Sequence, residues 1–253
     1  MLPISCVIIA RNEAEALKRC LSSIHGWIKE IIVVINDCTD DTQKIAEQFG
    51  ARVIEHTWEG YAGQKNFGIS CAQEAWILRL DADEEVSEAL KQQIEDFFQK
   101  TPPADCDVVY CQRHNRYLNH WLRYGRSKDS CPILLRKRAV KWIGTVHEGL
   151  QYSGKKHYLQ GPLWHYTETS IEQTLQKQIK YAHLSAPVLA QRRSLGILML
   201  KCCLNPLTNF INRYILRGGF LDKFPGFYYA TITSFYTFLK YLLAIELRLK
   251  RNE

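Results

Sequence analysis

Four short apolar segments alternate with helical patterns in the first hundred residues, and this alternation constrains the fold more than any other feature of the sequence. The predicted strands are residues 4–10, 31–35, 52–55 and 76–80. The predicted helices are residues 13–24, 39–50, 62–72 and 87–99, with Thr39 or Asp40 and Ser87 as candidate N-caps. Repeated strand-helix units are typical of a mostly parallel sheet with helices on both faces, so we predict an α/β, Rossmann-like fold.

The pattern changes after Thr101-Pro102-Pro103. Shorter strand-like segments follow at residues 108–112 and 133–136, and a helical period returns at Ile171. Asn205-Pro206 and Gly218-Gly219 predict breaks between the later helices. We therefore predict a domain over residues 1–168, divided into halves at 1–100 and 101–168, and a helical, aromatic and basic C-terminal extension over 169–253.

The net charge of +7 is unevenly distributed along the chain. Residues 1–100 carry −7, whereas residues 101–187 and 188–253 carry +7 each. An acidic first part is a poor surface for nucleic acid, so we expect no nucleic-acid partner, while the basic parts suit an anionic membrane surface or an anionic acceptor. A solvated basic face is the alternative explanation. The nine cysteines include no Cys-x-x-Cys pair, and the N-terminus does not resemble a secretory signal, so we expect a cytoplasmic protein.

The segment from Phe224 to Leu239 is uncharged, but Pro225-Gly226 interrupts the pattern and Lys240 closes it. A bilayer span needs roughly 20 apolar residues. We therefore predict a helix that lies in or against a membrane interface. Its predicted aromatic anchors are Phe227, Tyr228, Tyr229, Phe235, Tyr236 and Tyr241. The alternative is a helix packed on its own domain.

Polar residues follow each predicted strand, where ligands bind in an open parallel sheet. These segments are Arg11-Asn12-Glu13, Asn36-Asp37, Gly60–Asn66 and Asp81-Ala82-Asp83-Glu84-Glu85. The last segment places several carboxylates together, and a bound divalent cation would relieve their mutual repulsion. The oxygen ligands suit Mg²⁺ or Mn²⁺ held together with a substrate diphosphate. An acidic helix N-terminus is the alternative for this segment.

The segments Cys6–Glu13, Cys38–Thr42, Gly60–Asn66 and Trp76–Glu84 together resemble the family 2 glycosyltransferases, whose fold is of the GT-A type. Arg136, Val146-His147-Glu148, His165 and the Gly219–Asp222 region extend a narrower similarity, to bacterial lipopolysaccharide core glycosyltransferases, over nearly the whole chain. The resemblance implies a donor pocket and, beneath the diphosphate, a metal ligand at Asp83. The implied donor-binding residues are Arg11, Asn12, Glu13, Asp37, Gln64, Lys65, Asn66, Asp81 and Ala82. Family members usually carry an acidic residue directly after the second strand, but Ile35 stands there and Asp37 follows two residues later. The base therefore has no assigned contact, with uracil as the default.

The acceptor side needs a general base for the attacking hydroxyl, and Glu148 matches the position that the resemblance implies. A single displacement assisted by Glu148 would invert the anomeric configuration. His147 or His165 would complete the metal shell, and we assign His165 to the metal and His147 to the acceptor. The basic and aromatic segment 113–141 suits a sugar acceptor that carries anionic groups, with Trp121, Arg126 and Arg136 as acceptor-binding candidates.

The resemblance therefore implies inverting transfer of a hexose, such as glucose, from a nucleotide diphosphate sugar, UDP-linked by default. The implied acceptor is the inner core of lipopolysaccharide or a similar lipid-anchored saccharide, and the implied location is peripheral, at the cytoplasmic face of the inner membrane. One alternative is sugar transfer to a polyprenyl phosphate carrier. Another is a non-catalytic membrane-surface adaptor that retains the fold, although the intact Asp81, Asp83 and Glu148 argue against it.

Overall fold

The computed structural model of the chain describes residues 1–125, 128–144, 149–167 and 170–250. The first part contains β1 (Leu2–Ala10), α1 (Ala14–Ile24), β2 (Ile28–Ile35), α2 (Thr42–Gln48), β3 (Arg52–Glu55), α3 (Gly60–Cys71), β4 (Trp76–Asp81), β5 (Glu84–Val86) and α4 (Glu88–Gln99). Then follow β6 (Cys106–Tyr117), β7 (His120–Trp121), β8 (Lys128–Arg136), β9 (Lys141–Ile143), β10 (Gly149–Gln151) and β11 (Lys155–Tyr166). The remainder is α5 (Ile171–Arg192), α6 (Leu195–Phe210), a π-helix (Ile211–Leu216), a 3₁₀ turn (Gly219–Asp222) and α7 (Lys223–Leu249).

Within the described ranges, nine strands form one mixed sheet in the order β3-β2-β1-β4-β8-β6-β11-β5, with β7 paired to β6. Strands β3, β2, β1 and β4 are parallel neighbours, whereas β4 pairs antiparallel with β8 and β11 pairs antiparallel with β5. Strands β9 and β10 form a separate antiparallel pair. The predicted α/β fold class is confirmed.

Helices cover both faces of the parallel strands, and neighbouring residues of β1 point to opposite faces. Ile8 packs in one buried cluster with Leu17 and Leu21 of α1. Val7 packs in a second cluster with Ile69 of α3. Ser87 caps α4 through a 3.1 Å hydrogen bond to its hydroxyl from the amide of Leu90, as its position in the sequence predicts. The chain divides into two compact units, one formed by residues 1–114 and 129–166 and the other by residues 115–128 and the chain from Thr167 onward.

The two predicted breaks between the helices of the second unit have different outcomes. Pro206 lies inside α6, so the predicted break at Asn205-Pro206 is wrong. A proline removes one backbone hydrogen bond, but packing against α7 holds this helix together, and the Asn205 side chain donates to the Tyr241 hydroxyl at 3.0 Å. The predicted break at Gly218-Gly219 is confirmed, since Gly218 adopts a left-handed conformation with φ 69°.

The C-terminal aromatic residues are divided between the interior and the surface. Pro225 is the third residue of α7, where an N–H would lack an intrahelical acceptor. The predicted interruption of the helix at Pro225-Gly226 is therefore wrong. Tyr228, Tyr229 and Tyr241 are buried, and their prediction as membrane anchors is therefore wrong. Phe227 and Phe235 are exposed. No helix in the described part of the chain is long and apolar enough to cross a bilayer.

Candidate functional site

The carboxyl ends of the four parallel strands lie at one edge of the sheet. Ala10 at the end of β1 is in register with Ile35 at the end of β2, and Ile35 with Glu55 at the end of β3. Asp81, the last residue of β4, is in register with Ile9. The segments that follow these strands are therefore neighbours in space, as the sequence predicts.

The loop after β1 is tied to the loop after β2. Asn12 adopts a left-handed conformation with φ 55°, and its Oδ1 accepts a 2.7 Å hydrogen bond from the backbone amide of Thr39. The backbone amide of Glu13 donates to the Thr42 hydroxyl at 2.8 Å. Arg11 and Asp37 are both exposed at this edge. The two loops form one surface beyond the strand ends.

Asp81 is held as an anion by two cations. Arg79 forms a hydrogen-bonded ion pair with it, and the ammonium of Lys65 on α3 lies 3.6 Å from its Oδ1. Burial by itself would raise the pKa of Asp81, but the charges of Arg79 and Lys65 outweigh it and hold the pKa well below its usual range. Ala82, which follows, is buried. The structure thus brings the predicted donor residues Lys65 and Asp81 together.

Glu84 is the centre of a buried charge network that sequence reasoning missed. Its side chain is 0% exposed and accepts from Arg79 at 3.3 Å, from Arg113 at 3.1 Å and from the backbone amide of Asp81 at 2.9 Å. Glu84 belongs to β5 and not to a helix N-terminus, so the alternative explanation of this acidic segment is wrong for Glu84. The available signal was Arg79, a cation inside an otherwise apolar strand that requires a buried partner.

Asp83 and His165, the two predicted metal ligands, are in contact. His165 Nε2 lies 3.2 Å from Asp83 Oδ2, and the backbone amide of Tyr166 donates to the Asp83 carbonyl at 2.9 Å. Burial would lower the pKa of His165, but the charge of Asp83 and the hydrogen bond to it raise that pKa above its ordinary value. The described residues contain no group of three or more side chains arranged to hold a metal. The Asp83 carboxylate nevertheless suits Mg²⁺ or Mn²⁺ whose remaining ligands would be diphosphate oxygens and water. A neutral His165 imidazole would suit Mn²⁺ better than Mg²⁺, which prefers oxygen ligands.

Gln64 and Asn66 are committed to internal hydrogen bonds. The Gln64 amide donates to the carbonyl of His56 at 3.1 Å, and its oxygen lies 2.6 Å from His56 Nδ1. Asn66 both donates to the carbonyl and accepts from the amide of Trp142, at 2.9 Å in each case. Trp142 in turn lies beside Lys65, whose ammonium is 4.9 Å from its ring centroid. Gln64 and Asn66 therefore hold the segments of His56 and Trp142 against α3 at the carboxyl edge of the sheet.

Asn36 belongs to one of the predicted polar segments, but the sequence did not place it among the donor-binding residues. It directly follows β2 and is 8% exposed, and its Oδ1 has no hydrogen-bond partner within the described residues. A buried acceptor without a partner is costly. Asn36 lies next to the Ile35 position, where the family resemblance leaves the base contact unassigned.

The structure describes two of the four predicted acceptor residues, Arg136 and Trp121. Arg136 pairs with Trp76, the first residue of β4, and donates to the carbonyls of Pro103 and Cys106 at 3.0 and 2.9 Å. It therefore does not join Asp81 at the other end of β4. Arg126, His147 and the predicted base Glu148 lie outside the described residues.

Trp121 lines an open cavity of about 570 Å³ in the second unit. The other lining residues are Asn119, His120, Arg123, Tyr124, Leu221 and Asp222. Asp222 is 4% exposed, and its Oδ2 accepts from the backbone amides of Arg123 and Tyr124 at 3.0 and 2.9 Å. Its Oδ1 lies 3.9 Å from His120 Nε2. Aromatic rings, a guanidinium and a carboxylate therefore line one cavity, a combination that suits a polar ring with hydroxyl or anionic substituents.

Residues 5–166 match the family described as Glycosyl transferase family 2. The uncharacterized glycosyltransferase RP128 of Rickettsia prowazekii (strain Madrid E) is 31% identical over 272 residues, which cover 99% of this chain and 89% of that protein. The lipopolysaccharide core biosynthesis glycosyltransferase LpsC of Rhizobium meliloti (strain 1021) is 26% identical, over 92% of this chain and 91% of that protein.

Among solved structures, S. aureus TarS in complex with UDP-GlcNAc has a TM-score of 0.48 and 11% identity, over 100% of this chain and 93% of that chain. The family match and the Rickettsia relative each extend over more than half of the sequence. The chain therefore belongs to glycosyltransferase family 2.

Proposed function

We propose that the protein transfers a hexose from a UDP-sugar to a lipid-anchored saccharide, such as the inner core of lipopolysaccharide, with inversion at the anomeric carbon. The observation that carries the proposal is the group of charged residues at the carboxyl edge of the parallel strands. There Lys65 lies 3.6 Å from Asp81, and Asp83 contacts His165 at 3.2 Å. Cations and metal-ligating groups side by side suit a sugar nucleotide's diphosphate.

In the proposed donor complex, Asp83 and His165 would hold Mg²⁺ or Mn²⁺. The bound metal would offset the charge that develops on the departing diphosphate. Lys65 would contribute positive charge beside the metal, since its ammonium lies 3.6 Å from Asp81 at the same edge. Asp81 stays ionised because Arg79 and Lys65 flank it, so it can accept a hydrogen bond from a ribose hydroxyl without a competing proton. Asn36 Oδ1 would accept from the base, and the N3–H of uracil is a donor of the required kind.

Glu148 is the proposed general base, in keeping with the family resemblance. A carboxylate within reach of the acceptor hydroxyl removes its proton as the bond to the anomeric carbon forms. A single displacement of this kind inverts the anomeric configuration.

The acceptor assignment draws on two observations. The first is the cavity around Trp121 and Asp222, whose aromatic, cationic and anionic groups suit a sugar with charged substituents. The second is the relative LpsC, 26% identical, whose name assigns it to lipopolysaccharide core biosynthesis. A lipid-anchored acceptor places the protein, in this proposal, at the cytoplasmic face of the inner membrane as a peripheral protein.

The proposal is tested first by titrating UDP into the protein with and without Mn²⁺ and measuring the heat of binding. We expect Mn²⁺ to strengthen binding, and Asp83→Asn to remove that strengthening while the protein remains folded. The matched control is Asp105→Asn, an exposed carboxylate in the same unit that pairs only with Lys155 among the contacts described. Equal binding by Asp83→Asn and the unchanged protein in Mn²⁺ would refute the metal assignment.

The transfer step is tested with a panel of UDP-hexoses and a lipopolysaccharide core acceptor, with the product's linkage read by nuclear magnetic resonance. We expect an inverted linkage, and we expect Glu148→Gln to keep UDP binding and lose transfer. Retention of configuration, or full turnover by Glu148→Gln, would refute the assignment of the base.

A further inference from the structure

Helix α6 carries two different faces along its length. One face contacts α7. Leu198 and Cys202 are buried there, and the Asn205 side chain donates to the Tyr241 hydroxyl at 3.0 Å. Asn209, one turn further, lies 3.5 Å from the Thr237 hydroxyl. This spacing of three and four residues defines the inward side of the helix.

The other face is apolar and exposed. Its members recur every three or four residues and continue without interruption from α6 into the π-helix. We call them the outer stripe: Ile197, Leu200, Leu204, Leu207, Ile211 and Ile215. Their exposed fractions range from 44% to 63%. A continuous apolar stripe of this length is uncommon on a surface that faces only water.

The turn before α7 extends this surface. Phe220, Leu221, Phe224 and Phe227 are 43% to 63% exposed. Tyr214 of the π-helix contacts two of them, because its ring centroid lies 6.4 Å from that of Phe220 and 5.7 Å from that of Phe227. The outer stripe and these four residues together are called the apolar face below.

The exposed charge along the segment that carries the apolar face is of one sign, since Asp222, which lies within the face, is buried. No Asp or Glu occurs between Glu172 and Asp222. The same interval contains Lys177, Lys180, Arg192, Arg193, Lys201, Arg213 and Arg217, and Lys223 follows it directly. Arg213 is directed inward, since it donates to the Tyr229 hydroxyl at 2.8 Å, whereas Arg217 and Lys223 are exposed beside the apolar residues.

We propose that the apolar face docks on an anionic lipid surface, with the outer stripe in the acyl boundary and the flanking cations at the head groups. Apolar burial and attraction to anionic lipid are the two contributions that hold a monotopic helix in the interface. Charge argues for lipid over a second copy of the chain. A two-fold contact through this face would set Lys201, Arg217 and Lys223 near their own copies without an acidic residue between Glu172 and Asp222 to oppose them.

This inference deepens the peripheral association in the proposed function and rests on it for the identity of the lipid-anchored acceptor. Leu221 belongs both to the apolar face and to the lining of the cavity around Trp121. A saccharide attached to a docked membrane would therefore meet this cavity at the lipid surface.

The test is sedimentation of the full chain with vesicles of phosphatidylcholine, of phosphatidylglycerol and of their equimolar mixture. We expect binding to rise with phosphatidylglycerol. The variant Leu200→Gln/Leu204→Gln/Leu207→Gln should bind at least about tenfold more weakly, because three apolar groups leave the acyl boundary. The variant Arg217→Gln/Lys223→Gln should lose about fivefold per cation on phosphatidylglycerol and little on phosphatidylcholine.

The matched control is Ile143→Gln/Tyr158→Gln, which removes two exposed apolar side chains from the other unit and should leave binding unchanged. Circular dichroism verifies that each variant is folded. Equal binding to both lipids, or a triple leucine variant that binds within twofold of the unchanged protein, would overturn the inference. A dimer in light scattering that the triple variant converts to a monomer, with vesicle binding unchanged, would overturn it in favour of self-association.

Titration of UDP with Mn²⁺ in the absence of vesicles separates this inference from the proposed function. The triple leucine variant should bind UDP as tightly as the unchanged protein, because its substitutions lie in the second unit and the donor residues lie in the first. Nucleotide binding without vesicle binding would refute the docking face alone. Vesicle binding through the leucines without nucleotide binding would refute the donor site and leave the docking face standing.

Discussion

Replacing Glu84 by glutamine tests the buried charge network beneath the candidate donor site. The substitution keeps the size of the side chain and its ability to accept from the backbone amide of Asp81. It removes the negative charge that faces Arg79 at 3.3 Å and Arg113 at 3.1 Å. Arg79, 8% exposed, then keeps a single carboxylate partner, Asp81, among the ion pairs described.

The expected loss of stability follows from how exposed each pair is. A charge-assisted hydrogen bond contributes about 1.5 to 3 kcal/mol, and the buried bond to Arg79 should lie within that range, at about 2 kcal/mol. The Arg113 side chain is 22% exposed and also pairs with Asp129, so its bond to Glu84 should contribute about 1 kcal/mol. The total is about 3 kcal/mol, within the range for breaking a buried ion pair.

Urea unfolding followed by circular dichroism measures this change as a lower midpoint at constant slope. The matched control is Glu85→Gln, since Glu85 is the next residue, is more exposed and accepts from the Tyr166 hydroxyl at 2.7 Å. We expect that control to cost less than about 1 kcal/mol. A loss below about 1 kcal/mol for Glu84→Gln would refute the view that Glu84 balances two buried cations.

Three further predictions address the base contact, the sheet packing and pH. Asn36→Ala should weaken UDP binding about fivefold in calorimetry, because one hydrogen bond of about 1 kcal/mol is lost, and an unchanged Kd would exclude Asn36 from the nucleotide site. Gly68→Ala should cost about 1 to 3 kcal/mol in urea unfolding, since its Cβ would lie 2.5 Å from Cγ1 of Val7, whereas Gly196→Ala, with nothing within 4 Å, should not destabilise. The pKa of His165 is raised in the folded state, so its pairing stabilises the metal-free protein fully below the ordinary value of 6.5 and is lost as the pH rises through the folded pKa. The midpoint temperature of thermal unfolding should therefore fall across this pH interval for the unchanged protein and not for His165→Gln. Parallel pH curves for the two proteins would contradict the pairing.

The strands and helices of the first hundred residues could be predicted because their signals are local. Apolar runs, helical spacing and the Ser87 cap all lie within a few residues of the element that they specify. The prediction failed at Pro206 and at Pro225 because a proline's effect depends on its position within the helix and on its neighbours. Packing on α7 carries one helix through its proline, and the first turn of the other helix needs no N–H at that position.

The sequence by itself determined that polar residues follow the parallel strands and meet at one edge, because the carboxyl ends of parallel strands share that edge. It also determined the family, since its motifs lie in those segments. Only the tertiary structure decided what each side chain does there. His165 reaches Asp83 across 82 positions because β11 pairs antiparallel with β5. The Asn66 amide donates a hydrogen bond to the carbonyl of Trp142 across 76 positions. In the second unit, likewise, only the tertiary structure decided that Tyr228, Tyr229 and Tyr241 are buried while other apolar residues are exposed. Contacts between distant segments depend on strand pairing and helix packing, which hydrophobic periodicity does not specify.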